Sequence, residues 1–106
     1  MSNSNDTQKI IERVVLSDGY TVSKAFYDLI KLTVEDALPY LREDKKYTED
    51  KKYTAEMLCG DVFWEQLDAG ERRLVGRCLA HLVASNLLPL NFAESKHEYP
   101  KYYSLK

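Results

Sequence analysis

Cys78 and His81 stand three residues apart, near enough to share one side of a helix. A thiol beside an imidazole is a simple nucleophile–base pair. Nothing in the sequence orients that pair. The other histidine is His97 and the other cysteine Cys59, and neither spacing completes a triad or a metal set. There is no Gly-rich phosphate loop, no clustered Cys/His ligand set and no Asp-rich calcium loop. The expectation is a non-enzyme with no catalytic residue, no metal and no cofactor, and no small-molecule substrate is evident.

Binding chemistry is better represented. In the segment 69–85, a wheel at 100° per residue gathers Leu74, Val75, Cys78, Leu79, Leu82 and Val83 on one side. Opposite them lie Arg73, Gly76, Arg77, Ala80 and Ala84, with His81 at the edge and Arg72 beside Arg73. One reading is a plain solvated face, with Gly76 tolerated at a cost of about 1 kcal/mol relative to Ala. The other is a contact face, where small residues admit a partner's backbone and the arginines reach past them. Arg suits such a role because its fork binds phosphate bidentately or reads guanine in the major groove.

The elements around this face follow from local signals. Thr54 caps a short helix from Ala55 to Cys59, with Glu56 where the helix dipole favours an acid, and Gly60 interrupts it. Val62, Phe63, Trp64 and Leu67 form an apolar, aromatic connector, in which Trp64 reads as a core plug. Asp68, with Glu71 three residues on, is a capping box for the helix of residues 69–85, and Asn86 suits its left-handed end. Leu88, Leu90 and Phe92 then alternate with polar or small residues, as do Tyr103 and Leu105 beyond a polar tip at 94–98. The two runs predict a hairpin.

Cap, short helix, turn, long amphipathic helix, Asn-Leu-Leu-Pro break and hairpin resemble the winged helix-turn-helix family over the C-terminal half. That resemblance implies a recognition helix at 69–85 and a wing at 88–105. It implies double-stranded DNA as partner and a role in transcription regulation, through Arg72, Arg73, Arg77, His81, Lys96, His97 and Lys101. The alternative is a protein-binding module (an inhibitor, adaptor or immunity-type protein) using the same basic face. A homodimer fits either.

Charge and composition keep both readings open. The 106 residues carry a net charge of −2, with 44% hydrophobic and 30% charged residues, which suits one soluble domain. Residues 55–71 hold five acids and no base, whereas residues 72–106 hold six bases and two acids. Such asymmetry steers partners. The five acids Glu56, Asp61, Glu65, Asp68 and Glu71 would repel a phosphate backbone if they shared the basic face, which favours a protein partner. So do eight tyrosines, of which Tyr47, Tyr53, Tyr99 and Tyr102 are placed in loop or outward positions. No apolar run has the ~20 residues of a membrane helix and the start lacks a signal peptide, so a cytoplasmic protein with reduced, buried thiols is expected.

The N-terminal half reads as helical: a frayed tail at 1–6, then helices within 7–42. Ile10, Ile11, Val14 and Val15 give the first helical spacing, although their β-branching also suits a strand. Ser17, Asp18 and Gly19 form a turn, and residues 22–41 a clear amphipathic helix that ends or kinks at Pro39. Residues 43–54 repeat Glu-Asp-Lys-Lys-Tyr-Thr twice, a charged linker, or alternatively a Tyr-bearing docking segment, of which only one copy need make a structural contact, Tyr53-Thr54 beside the next helix being the better candidate. The expected fold class is mainly α with a small C-terminal β-hairpin, an α+β winged-helix-like arrangement.

Overall fold

A computed structural model describes residues 12–43, 51–93 and 101–106. In chain order they form β1 (Arg13–Val15), β2 (Thr21–Ser23), α1 (Lys24–Glu43), α2 (Ala55–Cys59), α3 (Asp61–Glu65), α4 (Ala69–Ala84), β3 (Leu90–Phe92) and β4 (Tyr103–Leu105). The fold is mainly α with two small antiparallel strand pairs, β1 with β2 and β3 with β4.

The first pair corrects the helix expected from residue 7. Val14 and Val15 are in a strand, in register with Val22 and Thr21, and Gly19 at φ 90° closes the turn between them. β-branched residues meet a cross-strand partner here, and that outweighs their helical spacing. Residues 7–11 of the expected helix, and the tail at 1–6, lie outside the described residues.

Helix α1 begins where Ser23 Oγ accepts the Phe26 N–H at 3.2 Å. It does not stop at Pro39 but continues to Glu43. Pro39 sits on the exposed side, where water can take the carbonyl that the missing N–H leaves over. Tyr27, Ile30, Val34 and Leu38 face inward.

The C-terminal half follows its local signals. Thr54 Oγ1 accepts from the Met57 N–H, and Gly60 at φ 88° separates α2 from α3. The capping box at α4 is complete: the Glu71 N–H donates to Asp68 Oδ1 at 2.7 Å and the Asp68 N–H to Glu71 Oε1 at 2.8 Å. Asn86 takes the left-handed conformation at φ 59° just past the helix. Strand β3 then pairs with β4, Leu90 opposite Leu105 and Phe92 opposite Tyr103. The polar tip expected at 94–98 lies outside the described residues.

One core joins all of these elements. Ile30 and Val34 of α1, Leu58 of α2, Val75, Cys78, Leu79 and Leu82 of α4, Leu90 of β3 and Tyr103 of β4 are at most 1% exposed. Tyr53 belongs to it too at 1%, which corrects its outward placement: it bridges backbone to backbone with Tyr103. Tyr102 is half-buried, while Tyr47, Tyr99 and most of the duplicated linker lie outside the described residues. Among the described residues no helix is long and apolar enough to cross a membrane.

Candidate contact groove along the long helix

The polar face of α4 is the floor of a groove. Arg73, Gly76, Arg77, Ala80, His81 and Ala84 line it at steps of three and four, as one helix stripe requires. The β1–β2 turn, through Ser17 and Asp18, forms one wall. Thr54, Ala55 and Glu56, with Phe92, Lys101 and Tyr103, form the other, and Trp64 and Arg72 close the end near the start of α4. The half-open groove holds about 870 Å³, within the size range of ligand clefts.

The three arginines have different fates. Arg72 donates two hydrogen bonds to the Trp64 carbonyl, from Nε at 3.2 Å and Nη2 at 3.1 Å, and its guanidinium lies 5.4 Å from the centroid of the Trp64 ring. It ties α3 to α4, so its fork is committed within the chain. Arg77 is also engaged: its guanidinium donates to the Asp18 carboxylate and stacks 3.7 Å from the centroid of Tyr20. Arg73 alone of the three is exposed and has no ion-pair partner among the described residues.

Asp18 is held by two elements. Its Oδ1 accepts the Tyr20 N–H at 3.0 Å, and this bond, with Arg77 adding to it, keeps the carboxyl below the usual range despite some desolvation. The β1–β2 turn is thereby an acidic clasp on the basic helix. Next to it, His81 Nδ1 accepts the Ser17 N–H at 3.0 Å and lies 2.8 Å from Ser17 Oγ. With an amide aimed at Nδ1, the ring proton sits on Nε2. The Tyr27 ring meets the imidazole edge-on at 5.9 Å between centroids.

Ser17 beside His81 is a hydroxyl–imidazole pair that the sequence does not announce. A serine nucleophile needs a base held by a third group and donors for the developing oxyanion. No carboxylate hydrogen-bonds to the His81 ring among the described residues, and its acceptor nitrogen is shared with a backbone amide. The arrangement fixes a turn to a helix.

The neighbouring thiol is equally committed to structure. Cys78 is fully buried, and burial, with the Asp18 charge adding to it, pushes its pKa up to about 11. Cys59 is pushed up to about 12 by burial alone. Both are free thiols, and both stay protonated near neutral pH. No group of three or more His, Cys, Asp or Glu among the described residues could hold a metal ion.

Of the residues picked from sequence, the groove brings together Arg72, Arg73, Arg77, His81 and Lys101. Lys96 and His97 lie outside the described residues. The sequence pattern does not announce Ser17 and Asp18 on the near wall, Tyr20 against the Arg77 guanidinium, or Thr54, Glu56, Phe92 and Tyr103 on the far wall. Trp64 packs against the core as expected but also lines the groove.

Compared with family models, with curated proteins and with solved structures, the chain matches none.

Proposed function

We propose that this chain is a non-enzymatic protein-interaction module of winged-helix-like build, whose contact surface is the groove along α4. The order α1, α2–α3, α4, β3–β4 supports the winged-helix reading, as does the bridge that adds Tyr53 to the edge of β4. A helix that reads DNA must enter a major groove about 12 Å wide, so its polar face has to protrude. The α4 face is instead recessed between two walls, one of them bearing Asp18 against Arg77 and the other bearing Glu56. That recess is the observation that carries the reading, because a helix face lying below its surroundings cannot be seated in a duplex's major groove. A polypeptide segment is slim enough to lie in such a groove.

The test sets the two partner classes against each other. Immobilised chain, offered a nuclease-treated lysate of its source cells, should retain a defined protein partner, and Arg73→Glu should release it. Fluorescence anisotropy on duplex DNA at low salt is the counter-measurement. Duplex binding that falls steeply with salt and disappears in Arg73→Glu would overturn the proposal in favour of a DNA-binding regulator.

A further inference from the structure

The α4 face already holds one carboxylate, and that contact shows what the face accepts. Asp18 reaches Arg77 while Tyr20 backs the guanidinium, an arrangement that combines an ion pair with ring stacking. One helical turn earlier on the same stripe stands Arg73, its Cβ about 6 Å from that of Arg77, exposed and without an ion-pair partner among the described residues. Across the groove Lys101 offers a third cation. The lining carries four cations, Arg72, Arg73, Arg77 and Lys101, against the two carboxylates of Asp18 and Glu56, and Asp18 is spent on Arg77.

The floor between these charges is low. A methyl group built on Gly76 meets nothing within 4 Å, and Ala80 and Ala84 continue the strip. A peptide backbone can approach the helix there more closely than any larger side chain would allow. Trp64 and Phe92, both half-buried, supply apolar surface along its path.

Building on the protein-interaction reading above, we propose that the groove takes an acidic, extended segment of a partner polypeptide. Its carboxylates pair with Arg73 and Lys101, and its backbone passes over Gly76 and Ala80. The β1–β2 turn is then an internal ligand of the same chemical class: Asp18 fills the Arg77 position that a partner carboxylate would otherwise take.

A fluorescein-labelled decapeptide alternating glutamate and alanine is the probe, and its glutamine–alanine counterpart is the control. Anisotropy with the full chain should show the glutamate peptide binding at least about tenfold more tightly than the control, with affinity falling as salt rises. Arg73→Gln should weaken binding about fivefold, in keeping with one partly screened charge contact. Gly76→Leu, whose Cβ meets nothing within 4 Å and whose branch fills the strip, should abolish it, while circular dichroism shows each variant folded. Asp18→Asn, which removes the charge paired with Arg77, should tighten binding about threefold. Failure of the glutamate peptide to bind overturns the acidic occupant. Affinity unchanged in both Arg73→Gln and Gly76→Leu overturns the groove, and leaves a partner captured from lysate to bind elsewhere. A labelled duplex that binds and is lost in Arg73→Gln overturns both this inference and the reading beneath it.

Discussion

Tyr53 and Tyr103 hold each other by both backbone hydrogen bonds, the Tyr53 N–H on the Tyr103 carbonyl at 2.7 Å and the reverse at 2.8 Å. Both side chains are 1% exposed. The bridge decides where Thr54 stands, hence where α2 begins and where the far wall of the groove rises. Because the bonds are backbone bonds, shortening a side chain removes packing and leaves the bridge its donors. Tyr53→Ala is expected to lower stability by about 3–5 kcal/mol in urea titrations, as for other buried aromatics. Lys51→Ala, which removes an ammonium 5.4 Å from the Tyr53 ring centroid, should cost under about 1 kcal/mol. Equal losses for the two variants would mean that Tyr53 does not anchor this segment.

Arg72 and Trp64 give a spectroscopic prediction. The guanidinium joins the Trp64 carbonyl and covers its ring, and Trp64 is the sole tryptophan. Arg72→Met keeps much of the aliphatic stem but forfeits both hydrogen bonds. We expect a loss of about 1–3 kcal/mol and a red shift in tryptophan emission as water reaches the ring. An unchanged emission maximum would show that Arg72 does not shield the indole.

Gly76 is the most direct probe of whether the groove floor is kept low for binding. It lies inside α4 with ordinary helical backbone and open space where a Cβ would be. Gly76→Ala should therefore stabilise the chain by about 0.5–1 kcal/mol, since glycine costs that much in a helix interior. Thermal melts of the two proteins measure it. A destabilised Gly76→Ala would mean that the residue is held by packing rather than left open for a partner.

What the sequence conveyed was what local chemistry decides. The Asp68–Glu71 capping box, the Thr54 cap, Gly60 and Asn86 each act within a few residues, and each stands where the pattern placed it. The alternation at Leu88, Leu90, Phe92, Tyr103 and Leu105 likewise marks the faces that β3 and β4 turn inward. Val14 and Val15 were ambiguous because helix and strand share their spacing, and only pairing with β2 resolves it. The groove was half legible. Its floor is a helix stripe and can be read from a wheel. Its near wall depends on Asp18 meeting Arg77 across 59 positions and Ser17 meeting His81 across 64. Such contacts between polar side chains leave no periodic trace. Tyr53 was legible in part: its place beside α2 marks it for a structural contact, but its charged neighbours describe a solvated linker, and the bridge that buries it is made by backbone.

Cys59, Cys78 and Tyr103 make stability fall on the alkaline side. Burial pushes the two thiols up to about 12 and about 11, the Asp18 charge contributing at Cys78, and burial also pushes the Tyr103 phenol upward. Each group is neutral when protonated, so the folded chain keeps these protons after the unfolded chain has begun to lose them, near pH ~8.5 for thiols and ~10 for phenols. The stabilisation is complete below those unfolded values. As pH rises from there through the folded values it is lost, each group adding a slope of up to about 1.4 kcal/mol per pH unit. Urea midpoints should therefore hold steady up to about pH 8 and drop by pH ~10. The double variant Cys59→Ala and Cys78→Ala, though less stable throughout, should flatten the first part of that drop. Iodoacetamide near neutral pH should leave the native chain unlabelled and modify both cysteines once urea has unfolded it. Rapid alkylation of the native chain, or a midpoint that does not move with pH, would show that these groups are not held in the core as described.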